Sequence, residues 1–127
     1  MKVMTEGSVF FCDSYALIEF ARGNLNYTKY LDEVLITSDL NVMELYYAFL
    51  RETNREKAEE HYLEWIDGAV KISEDVIRPA MEFKLKYKKE NLSYIDCLGY
   101  LFAIKNKIRF LTGDEKFENK PGVEFVK

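Results

Sequence analysis

Four acids stand where apolar runs end or helices begin: Asp13, Glu44, Asp96 and Asp114. Asp13 directly follows the run Ser8–Cys12, and Asp114 follows Ile108–Thr112 after a single glycine. Asp96 lies three residues after Ser93 and Glu44 three after Asn41, the spacing of a capping box. Each acid has a local use, since a carboxylate at a helix N-terminus contributes about 0.3–1 kcal/mol through the helix dipole. Gathered into one crevice, the four would repel one another and their protonation would couple. No lysine or arginine adjoins Asp13, Glu44 or Asp96 in the chain. A divalent cation would supply the balancing charge, and hard oxygen donors suit Mg²⁺ or Mn²⁺. Zinc is not indicated, because His61 stands alone on a charged helical segment and is expected to face solvent.

The elements that must position these acids follow from pattern. Strand-like runs occur at Val9–Cys12, Val34–Thr37, Ala69–Ile72, Ile108–Thr112 and Val123–Val126. Helical segments are predicted at Ser14–Arg22, Asn26–Asp32, Val42–Thr53 with Asn41 as its cap, Arg55–Asp67, from Ser73 or Asp75 to about Lys89, and from Ser93 to Lys105. The last of these is apolar on most of its circumference, so deep burial is expected. Alternating strands and helices argue for a parallel sheet covered by helices on both faces. In such a sheet Asp13 and Asp114 emerge at the carboxyl edge, and Asp96 and Glu44 open helices that start near that edge. Taken alone, each acid is expected to be a helix cap.

At 127 residues, with 48% hydrophobic and 31% charged residues, one domain spanning 1–127 with a real hydrophobic core is expected. The net charge of −4 excludes nucleic-acid binding by bulk positive charge. Cys12 and Cys97 sit in apolar runs and read as buried free thiols, which fits a reducing cytoplasm. No apolar run is long enough to span a bilayer, and no signal-peptide pattern opens the chain.

Read together, Phe11-Cys12-Asp13-Ser14-Tyr15-Ala16-Leu17-Ile18, Asn41-Val42-Met43-Glu44-Leu45, Leu92-Ser93-Tyr94-Ile95-Asp96-Cys97-Leu98 and Leu111-Thr112-Gly113-Asp114-Glu115-Lys116-Phe117 resemble the PIN domain. The likeness is greatest to the single-domain ribonuclease toxins of the VapC type. The resemblance implies a three-layer α/β/α sandwich with a five-stranded parallel sheet. It implies a Mg²⁺- or Mn²⁺-dependent ribonuclease that cuts single-stranded or looped RNA. By resemblance Asp13 and Asp96 are the core metal ligands, Asp114 completes the site, and Glu44 binds metal or orients water. Thr112 and Ser14 would hydrogen-bond to those acids. Many members carry Ser or Asn two places after the first Asp, where this chain has Tyr15.

RNA would have to meet local positive charge. Lys84, Lys86, Lys88 and Lys89 form one basic cluster, and Lys105, Lys107 and Arg109 form another. Lys84, Lys88, Lys105 and Arg109 are the candidate phosphate contacts, against the ordinary reading of solvated helix faces. The resemblance also implies a cognate antitoxin and a homodimer, with Tyr27, Tyr30, Tyr46, Tyr47 and Trp65 as surface candidates. Those aromatics serve equally well as core. Two rival functions remain: a PIN-like module that binds RNA or protein without cutting, and a phosphotransfer or phosphatase α/β domain with an aspartyl nucleophile. The second lacks a paired acid beside Asp13.

Overall fold

The computed structural model describes residues 9–127, so Ser8 of the first strand candidate lies outside the described residues. The chain runs β1 (Val9–Cys12), α1 (Ser14–Ala21), α2 (Leu25–Thr28), β2 (Val34–Ile36), α3 (Asp39–Glu52), α4 (Arg55–Trp65), α5 (Glu74–Lys86), α6 (Tyr94–Lys105), β3 (Arg109–Thr112) and β4 (Val123–Phe125). Short 3-10 turns follow α2, α4, α5 and β3. The strands form one parallel sheet in the order β2-β1-β3-β4. Phe11 is opposite Ile36 on one side and Phe110 on the other.

Side chains alternate across a strand, and here both sets are apolar, as a sheet buried on both faces requires. Phe10, Cys12 and Leu111 face one layer with Leu17, Val42, Leu45 and Phe49. Phe11 and Phe110 face the other with Ala80, Cys97, Tyr100 and Phe117. The result is the expected α/β/α sandwich. Cys12 and Cys97 are buried free thiols. Among the described residues no helix is long and apolar enough to cross a membrane.

Four expectations need correction. The sheet has four strands, not five. The Ala69–Ile72 run makes only an isolated parallel bridge, Val70 to Ser38. Val70 donates its N–H to the Thr37 carbonyl at 2.8 Å, and its own carbonyl accepts from Asp39 N–H at 3.0 Å. At Ser38 the neighbouring chain already turns into α3, so no strand length is left to pair with. Secondly, α6 buries Cys97, Gly99, Tyr100 and Ala103 but leaves Tyr94 and Ile104 exposed. It lies so close to β1 that a Cβ at Gly99 would sit 2.8 Å from the Phe11 ring. Thirdly, His61 does not simply face solvent: its ring centroid is 4.5 Å from that of Phe49. Fourthly, of the aromatics left open to a surface or a core role, most take the core one. Tyr27 is fully buried and donates its hydroxyl to the Val126 carbonyl at 2.5 Å. Tyr30, Tyr46 and Trp65 lie against the core, and Tyr47 is the exposed one.

Gly113 carries the turn from β3 to Asp114. A Cβ there would collide with the Tyr15 ring and with the Val126 backbone carbonyl, which cannot swing aside. Gly113→Ala is therefore expected to cost about 1–3 kcal/mol, the usual range for overpacking. Urea unfolding measures this, and an unchanged midpoint would show that the turn has slack.

Candidate functional site

The sheet order determines where a crevice opens. From β1 the chain moves to β2 on one side, then crosses to β3 on the other. Between β1 and β3 the direction of winding reverses, and helices leave on opposite faces. Open parallel sheets place their sites at such a switch point, beyond the carboxyl ends of the strands. Asp13 follows β1 there, and Asp114 follows β3 after Gly113. Because α3 follows β2 and α6 leads into β3, both helices begin at this same edge. Glu44 and Asp96 lie in their first turns or just beyond. A cavity of about 720 Å³ opens here, and Asp13, Glu44, Asp96 and Asp114 all line it.

Asp13 is the anchor. It is only 3% exposed. Its Oδ1 accepts from Ala16 N–H at 2.9 Å as the N-cap of α1. Its Oδ2 accepts from the Thr112 hydroxyl at 2.5 Å. That hydroxyl also accepts from Asp114 N–H at 3.0 Å, so one threonine ties the two strand-end acids together. Burial, above all, pushes the Asp13 carboxyl up to about 7. The Thr112 and Ala16 hydrogen bonds oppose the rise, and the charges of Asp96 and Asp114 add to it.

Glu44 is held through a polar chain. Ser14 donates to Glu44 Oε1 and accepts from Asn41 Nδ2 at 3.0 Å. Asn41 Oδ1 accepts from Ser38 at 2.6 Å. Here the capping expectation is corrected: Ser38, not Asn41, caps α3, and its Oγ accepts from Asn41 N–H at 3.2 Å. Asn41 lies one turn inside, buried, and carries the link from α3 to α1. The Glu44 carboxyl is raised by burial and by Asp96, and lowered by Ser14. Asp96 closes the capping box of α6, its Oδ2 accepting from Ser93 N–H at 3.0 Å. Asp114 caps the turn Glu115–Phe117 through Lys116 N–H at 3.0 Å.

The donor set suits a hard divalent cation: carboxylate oxygens, with the charge on Asp13 made costly by burial first and by its acidic neighbours second. Among the described residues, no three acid, histidine or cysteine side chains are grouped tightly enough to cage an ion. That does not conflict with Mg²⁺, which keeps several waters and binds through one or two carboxylates plus substrate phosphate.

The basic candidates fare differently. Lys105 pairs with Asp75 at the far end of α6. Arg109, at the start of β3, donates to the Val123 carbonyl at 2.5 Å and to Glu124 Oε1 at 3.2 Å. Both stand at the opposite end of the strands from the acids, because α6 runs away from the crevice before β3 returns to it. Lys88 is exposed in the turn after α5 and does not line the cavity. Lys84 is near the rim, its Nζ donating to the Leu92 carbonyl at 2.6 Å. The cavity's own cation is Arg51, which sequence reasoning missed. The signal was present: Glu44, Tyr47, Ala48 and Arg51 recur at i, i+3, i+4 and i+7 on one face of α3, and all four line the cavity.

A carboxyl raised from 3.8 to about 7 is a stability cost that appears as pH rises. Below pH 3.8 Asp13 is neutral folded and unfolded. Between 3.8 and 7 only the unfolded chain ionises it, and stability falls; above 7 the cost is complete, about 4 kcal/mol at 1.36 kcal/mol per pH unit. In EDTA, Asp13→Asn is therefore expected to melt above the wild type at pH 8, with the gap closing towards pH 4. Parallel melting curves across that range measure it, and a variant that melts lower at pH 8 would contradict a costly charge at this position.

Solved structures with the same fold include the Mycobacterium tuberculosis toxin VapC20, described as cleaving the sarcin-ricin loop. It is 14% identical, covers 91% of this chain and 97% of its own, and has a TM-score of 0.79. VapBC2 from Rickettsia felis, bound to promoter DNA, is 14% identical over 93% and 97%, with a TM-score of 0.73. A toxin–antitoxin complex from Klebsiella pneumoniae is 18% identical over 90% and 94%, with a TM-score of 0.70. No curated protein sequence matches. The family model for the PIN domain matches residues 10–123, nearly the whole chain, and on that match this protein belongs to the PIN domain family.

Proposed function

We propose that this PIN domain is a divalent-metal-dependent endoribonuclease and the toxin of a toxin–antitoxin pair. One observation carries the reading: four acids from four separate stretches of chain line a single cavity at the β1–β3 switch point. Asp13, Asp96 and Asp114 would hold Mg²⁺ or Mn²⁺, and Glu44 would hold it or orient water. When bound, such an ion supplies Lewis-acid stabilisation of a phosphodiester and lowers the pKa of a water. The chain's own residues do the positioning. Thr112 and Ala16 N–H hold both oxygens of Asp13 in one orientation. Ser14 restricts Glu44, and Asn41 restricts Ser14. RNA as the substrate class is supported by the described activity of VapC20, and a protein antitoxin by the complexes of the Klebsiella and Rickettsia relatives.

A second reading draws on the capping bonds of Asp96 and Asp114, which use both acids without any ion. In that case the fold would bind RNA or protein without cutting.

Cleavage of RNA by the purified protein decides between them. Cutting is expected with Mg²⁺ or Mn²⁺, none in EDTA, and none with Asp13→Asn or Asp96→Asn. Thr112→Val is expected to lose activity by about 10–100-fold, the usual effect of removing a group that orients a metal ligand. Mn²⁺ should also raise the melting temperature of the wild type and not that of Asp13→Asn. Equal cleavage by wild type and both acid variants would end the assignment.

A further inference from the structure

The protein has nine tyrosines, nine phenylalanines and one tryptophan, all within the described residues. Two of them are exposed, Tyr47 at 62% and Tyr94 at 65%. One stands in the acidic cavity and the other beside it. Tyr47 lines it from α3. Tyr94 is the first residue of α6, between Ser93 and Ile95, which both line it. Each ring also carries a cation. The Arg51 guanidinium lies 5.6 Å from the Tyr47 centroid, and the Lys84 ammonium lies 4.7 Å from the Tyr94 centroid. Every other aromatic side chain is buried or half-buried.

An exposed aromatic ring offers a flat apolar surface to a partner, and here one ring lines the cavity with a second beside it. A flat ring beside a positive charge matches one chemistry closely: an unpaired nucleotide, whose base stacks while its phosphate meets the cation. A duplex hides its base faces and does not fit. The cations are held in place without being neutralised by the acids of the cavity. Lys84 is fixed by the Leu92 carbonyl, and among the described residues Arg51 has only Glu52, at 3.5 Å, as an acidic partner.

We infer that Tyr47 with Arg51 and Tyr94 with Lys84 are two nucleotide-holding arms, one on α3 and one at the α5–α6 junction, that seat unpaired RNA across the acidic centre. The inference rests on the ribonuclease reading. Tyr47 and Tyr94 are positioning residues: they hold bases on either side of the phosphodiester that the acids face. Stacking tolerates any base, so the arms select unpaired strands rather than a sequence.

The test is binding of a fluorescent single-stranded oligoribonucleotide of mixed sequence in EDTA, by anisotropy, with the same strand annealed to its complement as the control. Tyr47→Ala and Tyr94→Ala are each expected to weaken single-strand binding by about 5–100-fold, as loss of one stacked base does, with little change for the duplex. Tyr47→Phe and Tyr94→Phe should recover most of the affinity. Arg51→Gln should reduce the slope of log affinity against log salt by about 0.7, one phosphate on a single strand. With Mn²⁺ added, the alanine variants should raise KM by a larger factor than they lower kcat. Wild-type protein that binds and cuts RNA, with alanine variants that bind equally well, would overturn this inference alone and leave the rings to a protein partner. Wild-type protein that neither binds nor cuts would overturn the ribonuclease reading as well. The rings are exposed, so the variants should keep the wild-type melting temperature.

Discussion

A carboxylate with almost no access to water sits at the centre of this molecule. Asp13 follows β1 directly and is only 3% exposed where it lines the cavity. Its charge survives only through what points at it: a backbone N–H from the first turn of α1 and the hydroxyl of Thr112. The threonine is 0% exposed and belongs to the neighbouring strand. The β1–β3 pairing, which sets Cys12 opposite Leu111, therefore also sets the hydrogen bond that orients the acid. A one-residue slip between these strands would turn Thr112 to the other face of the sheet. Fold and site share one registry.

The parallel sheet has a second consequence. Every helix after a strand, or before the next one, has an end at the carboxyl edge, and the helices that start there bring N-terminal N–H groups with them. Those groups favour acids. Asp13, Asp96 and Asp114 all accept backbone N–H bonds at this edge. Capping and clustering are therefore not competing explanations of the acids. The caps are the means by which a sheet of this winding gathers negative charge at one place, and each cap holds its carboxylate still.

Much of this was legible in the sequence because the signals were local. The Ser93–Asp96 capping box, the strand-to-acid junction at Asp13 and the start of the helix at Arg55 needed no tertiary knowledge. What failed depended on partners elsewhere. The Ala69–Ile72 run has strand composition, but its neighbour had become a helix cap at Ser38, so it gained a single bridge. Asn41 looked like a cap because Asn is a good one. Ser38, three residues earlier, does that work and frees Asn41 to reach Ser14 on another helix. Lys105 and Arg109 looked like neighbours of the site because they are close in sequence to Asp96 and Asp114. Helix α6 and strand β3 put them at the other end of the molecule.

On the ribonuclease reading, the remaining physical problem is how an acidic protein with an acidic cavity would accept a polyanion. The net charge is −4, and long-range attraction cannot solve it, because salt screens charge beyond roughly 8–10 Å. Whatever favours the encounter has to act at contact distance. A divalent ion held by the acids would do so, supplying attraction for a phosphate where the acids alone repel it. Stacking does so without charge, since a base on a tyrosine ring is indifferent to the protein's sign. The cations at the rim, Arg51 and Lys84, each lie over an exposed ring. Affinity arranged in this way would act within a few ångströms of the acids, so a duplex sliding over the surface would gain nothing from it. A strand whose bases are free would gain most of it at the one place where hydrolysis would occur.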